Sequence, residues 1–274
     1  MIDCNLVVAG GASNGWALYG AYRRARMDLS FKSAAGASIG ACISAIEALR
    51  IDHQKATALM TSLTTNNGIV GGANLIRFHP RLLWSRGGGM HDWSHAKAAL
   101  KALVGENTRF RDTAIPLSII AGDIYTGQTV VLNSLTDPSC LVWEALAAST
   151  AVWPIADAQE IPSAGTGNRL YVDGGWGNNI PTEVFENAQL RTCVISLGSP
   201  TPEINRRDGF IGVVQGCLEL ALNDRSDIPH RSDDILIQIP TVGSGFDFNL
   251  TPEAIKARDF SGRMAAQRVS LASA

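Results

Sequence analysis

Two stretches decide how this chain folds: Asn5-Leu6-Val7-Val8-Ala9-Gly10-Gly11-Ala12-Ser13-Asn14-Gly15, and its echo Ser33-Ala34-Ala35-Gly36-Ala37-Ser38-Ile39-Gly40. Each is a short apolar run, stopped by a glycine-rich turn and followed by a helix-like segment. Asn5–Ala9 predicts a fully buried strand. Gly15 to about Arg26 predicts a helix, with Trp16, Tyr19 and Tyr22 at helical spacing. Its cations Arg23, Arg24 and Arg26 fall at the end where a helix dipole favours them. Leu29–Ala34 predicts a second strand and Ala41–Leu49 a second helix. Strand, helix, strand and helix in this order open a parallel, doubly wound sheet, which places the chain in the α/β class.

The remainder keeps that character. A helix is predicted near His95–Val104, then strands near Pro116–Ala121 and Thr129–Leu132 joined by the hairpin turn Tyr125-Thr126-Gly127-Gln128. Trp143–Ser149 reads as helix. Leu170–Val172 reads as a short strand halted by Asp173-Gly174-Gly175, and Cys193–Leu197 and Ile235–Ile239 as buried strands. Thr251 to about Leu271 reads as a terminal helix capped by Thr251. Residues 62–95 break the rhythm with Asn66-Asn67-Gly68, Gly71-Gly72 and Gly87-Gly88-Gly89 around Phe78, Leu82, Leu83 and Trp84. That insert is either a capping subdomain or a lid facing lipid. With no repeat, low-complexity tract or linker, residues 1–274 are expected to form a single domain.

Composition narrows the function classes. A net charge of −2 gives no general attraction to nucleic acid or anionic lipid. The five cysteines (Cys4, Cys42, Cys140, Cys193 and Cys217) are scattered and lack C-x-x-C spacing, so they read as buried free thiols, not a zinc site or disulfide framework. The start Met-Ile-Asp-Cys-Asn lacks the basic and apolar regions of a signal peptide, and no apolar run is long enough to span a bilayer. The chain is expected to be soluble and cytoplasmic, with any membrane contact peripheral; the alternative is secretion by a non-classical export signal.

Three glycine-rich turns each follow a short apolar strand: Gly10–Gly15, Gly36–Gly40 and Asp173–Gly177. If the strands are parallel, all three face one crevice at the carboxyl ends of the sheet. Together they offer backbone N–H groups, a serine and a carboxylate, the parts of an acyl-transfer site. Gly-x-Ser-x-Gly occurs twice, at Gly11–Gly15 and Gly36–Gly40, so the pattern alone does not choose between Ser13 and Ser38. Gly10–Gly15 does not fit G-x-G-x-x-G, and no P-loop lysine follows either turn. A Ser-His-Asp triad is disfavoured because His53, His79, His91, His95 and His230 lie in polar or loop contexts. Ser149 reads as a residue that caps or packs a turn beside Pro154.

The ordered set resembles the patatin-like phospholipase family. It comprises a Gly-rich loop, Gly36-Ala37-Ser38-Ile39-Gly40, Gly87-Gly88-Gly89-Met90-His91-Asp92, Asp123–Val131, Ala148-Ser149-Thr150-Ala151-Val152-Trp153-Pro154, and Asp173-Gly174-Gly175 with Asn178-Asn179-Ile180-Pro181 after it. The resemblance implies a three-layer α/β/α fold and a lipid acyl hydrolase with a Ser–Asp dyad. On it, Ser38 between Gly36 and Gly40 is the nucleophile, Asp173 the general base, and Gly10, Gly11 and Ala12 the oxyanion loop. Neither metal nor cofactor is implied, and the expected partner is a lipid, at a membrane interface or free. The loop departs from the family's Gly-Gly-Gly-x-Arg/Lys-Gly at two positions, where Ala12 and Asn14 stand. Alanine keeps its N–H and fits if its φ is negative; Asn14 removes a positive charge. A catalytically weakened binding or scaffold protein, and an acyltransferase or thioesterase using the same dyad, remain alternatives.

Overall fold

The computed structural model describes residues 1–65, 88–89, 93–163, 167–198, 230–240, 243, 245, 247–248 and 250–272. Most of the insert at 62–95, including Phe78 to Trp84, His79 and His91, lies outside the described residues. So does Cys217.

The opening unit is β1 (Ile2–Val8), α1 (Gly15–Ala25), β2 (Leu29–Ala37) and α2 (Ile39–Ala48). Cys4, Leu6 and Val8 of β1 point into the main core while Val7 points to a smaller cluster with Ala35 and Val194 on the opposite face. That alternation is the period-two signature of a strand covered on both sides. Next come α3 (His53–Thr64), α4 (Ser94–Val104), β3 (Leu117–Asp123), β4 (Gln128–Leu132) and α5 (Val142–Ser149). The chain continues through β5 (Gln159–Ser163), β6 (Gly167–Asp173), β7 (Thr192–Leu197), β8 (Ile235–Ile239) and α6 (Pro252–Ala272). The strands form one mixed, mostly parallel sheet in the order β5-β6-β3-β2-β1-β7-β8, with β4 also paired to β3. Helical segments cover both sides; on the smaller face these are Ile180, Val184 and Phe185 around a 3-10 turn.

Two elements, α3 and β5, are additions to the expected set. Asp52 caps α3 by accepting from the Lys55 amide at 2.9 Å. Ala56, Leu59, Met60 and Leu63 are its buried stripe. Residues 62–64 are thus the last turn of a helix, not the start of an irregular insert. Among the described residues, strand β5 pairs only with β6, and it carries Pro162, which an edge strand tolerates.

The assumption that every site-bearing strand is parallel does not hold. β1, β2, β3, β7 and β8 are parallel, but β6 runs antiparallel to β3, pairing Ala121 with Asp173 and Asp123 with Tyr171. β4 occupies Ile119–Asp123 along one edge of β3, so β2 and β6 share the other edge. They approach from opposite ends. β2 stops with Ala37 against Ile120, and β6 stops with Asp173 against Ala121.

Helix α6 lies across α1 with small residues at the crossing. A Cβ on Gly20 would collide with the Asp259 backbone, and one on Gly262 with the Ala17 carbonyl. Arg23 of α1 ion-pairs with Asp259 of α6, and the Thr251 hydroxyl accepts from the Ala254 amide to cap α6 as expected. The four described cysteines are buried free thiols, and burial pushes Cys4 and Cys140 up to about 12. Gly262→Val should destabilise the protein by about 1–3 kcal/mol through overpacking, read as a lower thermal midpoint. An unchanged midpoint would contradict this close crossing.

Candidate active site

Ser38 sits where β2 ends and α2 begins, at φ 53° and ψ −131°, a conformation that L-residues rarely adopt. The sharp turn requires the two flanking glycines. A Cβ on Gly36 would press on the Gly40 backbone, and a Cβ on Gly40 on the carbonyls of Val8 and Ala9. The turn leaves the Ser38 hydroxyl facing the end of β6. It donates to Asp173 Oδ2 at 2.6 Å, while Asp173 Oδ1 accepts from the Gly175 amide at 2.7 Å. Gly174 permits the meeting, since a Cβ there would overlap the Ile120 carbonyl.

One short segment clips both halves of this pair. The Ser149 hydroxyl, at the end of α5, accepts from the Ser38 amide at 2.9 Å, and the Ala151 carbonyl accepts from the Asp173 amide at 2.9 Å. Ser149 therefore does more than pack a turn beside Pro154: it fixes the backbone of Ser38. Asp173 is 3% exposed, and burial pushes its carboxyl up to about 7, against the opposing hydrogen bonds from Ser38 and Gly175.

The other candidate serine, Ser13, is fully buried with its amide donated to the Gly245 carbonyl at 2.8 Å. No histidine among the described residues bonds to Ser38 or Asp173: His53 meets the Tyr19 hydroxyl at 2.9 Å, and His95 is exposed. No group of His, Cys, Asp or Glu suited to a metal occurs among the described residues.

The loop after β1 starts beside this pair: a Cβ on Gly10 would stand 3.1 Å from Ser38 Cβ. The Gly10 amide donates to the Asn179 backbone carbonyl at 3.1 Å. Among the described residues, the Gly11 and Ala12 amides have no acceptor. The condition set for Ala12 fails, because its φ is +46°, the left-handed region that favours glycine. A cation reaches Asn14 from far along the chain. Arg258 of α6, 4% exposed, donates from Nε to Asn14 Oδ1 at 3.0 Å, and Asn14 Nδ2 donates to the Gly243 carbonyl at 3.4 Å. Burial loosens the hold of Arg258 on its proton, an effect that Asp247 opposes. The sequence gives no local signal for this pairing, since the partners lie on opposite ends of the chain.

A cavity of about 400 Å³ opens beside the turn after Asp173, lined by Ile124, Val172, Trp153, Trp176, Gly122 and Thr129 among others. Ile124 is 50%, Trp153 45% and Trp176 38% exposed, so the mouth is apolar and open to solvent.

A model of the patatin-like phospholipase family matches residues 6–186, and the chain belongs to that family of lipid hydrolases. A comparison with curated protein sequences finds no match. Among solved structures, VipD from Legionella pneumophila superposes with a TM-score of 0.57 at 13% identity, over 97% of this chain and 66% of VipD. The type III effector protein ExoU gives 0.45 at 14% identity, over 97% of this chain and 52% of ExoU. The chain thus spans just under two thirds of VipD and about half of ExoU, and the likeness to VipD is one of fold. The family match ends before α6, so Arg258 lies beyond it. No helix among the described residues is long and apolar enough to cross a membrane.

Two stability measurements bear on this geometry. Ala12→Gly should raise stability by up to about 1 kcal/mol in chemical unfolding, because a left-handed alanine costs about 1–2 kcal/mol and glycine's extra flexibility offsets part of the gain. A destabilised variant would contradict the left-handed loop. For Asp173 the native carboxyl is raised above its unfolded value, so the native state holds the extra proton from about pH 4 to about 7 and loses relative stability as pH rises across that window. Asp173→Asn should therefore unfold later than the parent protein at pH 8, with the gap closing toward pH 4. A gap that widens at low pH would refute the buried-carboxylate account.

Proposed function

We infer that this protein hydrolyses fatty acyl esters of phospholipids or lysophospholipids through a Ser38 acyl-enzyme, with Asp173 as general base. The observation that carries the reading is the 2.6 Å bond from the hydroxyl of a strained elbow serine to a carboxylate buried by the fold. Membership of the patatin-like phospholipase family supports the substrate class.

The chemistry proceeds in two halves. Asp173 Oδ2 takes the hydroxyl proton as Ser38 Oγ bonds to the ester carbonyl carbon. The carbonyl oxygen becomes an oxyanion, held by the amides of Gly11 and Ala12, which have no acceptor among the described residues. The Gly10 amide, spent on the Asn179 carbonyl, holds the loop instead. Collapse breaks the bond to the alcohol leaving group, which departs with the proton from Asp173. Water then attacks the acyl-enzyme, giving one proton to Asp173, and the fatty acid leaves as Ser38 recovers it. A carboxyl near pH 7 suits this exchange, since it accepts and returns a proton at working pH.

A fluorophosphonate probe should label the purified protein at Ser38, mapped by mass spectrometry. Hydrolysis of a phospholipid should rise with pH through about 7 as Asp173 loses its proton. Ser38→Ala should abolish turnover, and Asp173→Asn should lower it about 10²–10⁴-fold while the protein stays folded. Label on Ser13, or near-normal turnover by Asp173→Asn, would overturn the assignment. A folded protein that neither labels nor turns over ester would be a binding protein.

A further inference from the structure

We propose that the side-chain amide of Asn179 is a further hydrogen-bond donor to the oxyanion, an inference that rests on the Ser38–Asp173 reading. The starting observation is an unpaired polar atom. Asn179 Nδ2 is buried and has no hydrogen-bond partner among the described residues. A buried N–H left without an acceptor carries the full penalty of leaving water, and native proteins rarely keep one without a use.

Its location gives it one. A Cβ placed on Gly10 would overlap Asn179 Oδ1 and stand 3.1 Å from Ser38 Cβ, so the Asn179 amide and the Ser38 side chain border the same space over Gly10. The two residues are held in that relation by backbone. Gly10 donates its amide to the Asn179 carbonyl at 3.1 Å, and Asn179 lies six residues after Asp173, beyond the 3-10 turn Gly174–Trp176 that bonds the carboxylate. A Cβ at position 10 would push the asparagine side chain out of this place.

The arrangement amounts to an exchange of donors. The Asn179 backbone occupies the Gly10 amide, the first N–H of the loop, and rotation of the Asn179 side-chain amide about Cβ–Cγ puts Nδ2 where Oδ1 stands over Gly10. A neutral amide suits that role, because it donates to a developing negative charge and adds no full charge to the ground state of a buried site. With the amide so turned, the carbonyl oxygen of a bound ester supplies the acceptor that Nδ2 lacks, and the bond strengthens as that oxygen becomes anionic. Asn179 thereby becomes a catalytic residue, sharing the oxyanion with Gly11 and Ala12.

The test compares the parent protein with Asn179→Ala and the isosteric Asn179→Asp, using an ester and its thiono analogue, in which sulfur replaces the carbonyl oxygen. Circular dichroism and thermal melting establish that each variant is folded. Both variants should lose about 10²–10³-fold in kcat on the oxygen ester with KM changed only a few-fold. They should lose far less on the thiono ester, because sulfur is a poor hydrogen-bond acceptor, so the oxygen-to-sulfur rate ratio falls. A structural role would slow both esters equally, and that outcome overturns the proposal. Parent-like kcat in folded variants overturns it as well, while leaving the dyad intact. A parent protein that turns over no ester removes the dyad reading and this inference together.

Discussion

The site depends on the meeting of two strands on one edge of β3. β2 rises parallel to β3 and ends with Ala37 beside Ile120; β6 descends antiparallel and ends with Asp173 beside Ala121. Neighbouring residues of one strand thus set the distance between Ser38 and Asp173, although 135 positions separate them in sequence. Backbone pairing fixes such a distance more firmly than a pair of side chains on flexible loops would. The segment from Ser149 to Ala151 bonds both strand ends and adds a second constraint. Glycines occur where this meeting leaves no space for a side chain, at Gly36, Gly40 and Gly174.

Much of the fold was legible because buried strands and amphipathic helices leave periodic marks. β1, α1, β2, α2, β3, β4, α5, β7, β8 and α6 fall where the apolar runs and turn signals place them. Strand direction leaves no such mark. Leu170–Val172 looks the same in a parallel or antiparallel ladder, and the convergence of three turns in one crevice was expected from an incorrect premise about β6. Helix α3 did carry a signal, with Asp52 as cap and Ala56, Leu59, Met60 and Leu63 at helical spacing, but its polar first turn and the adjoining glycines obscured it. β5 is five residues long and contains a proline, so little in it marks a strand.

The candidate site was legible in its residue types and illegible in its wiring. The resemblance named Ser38, Asp173 and the loop from Gly10 to Ala12, and the first two are bonded to each other. That the Gly10 amide is already spent, or that Ala12 is left-handed, cannot be read from residue identity. The absence of a basic residue at position 14 looked like a lost charge. In the fold, Asn14 is the acceptor for Arg258, so a guanidinium from α6 approaches the loop through a neutral residue. Short glycine contacts with α1 hold α6 close enough for this, which links helix packing in the core to the electrostatics of the loop.

The burial of Asp173 shows how stability and chemistry oppose each other here. A carboxylate withdrawn from water and given two hydrogen bonds still holds its proton more tightly than an exposed one, so its ionised form works against folding above about pH 7. The same withdrawal makes it a stronger base for the Ser38 proton. An exposed aspartate would remove the folding penalty, yet with an ordinary pKa near 4 it would be a poor acceptor for a hydroxyl proton at neutral pH. The left-handed Ala12 and the strained Ser38 follow the same logic, since each backbone is held in an unfavourable conformation by the packing around it. Such residues persist only where the surrounding sheet is stable enough to enforce them. The buried carboxyl-terminal halves of β1 and β2, and the buried strand β7, lie directly behind the strained turns and supply that enforcement.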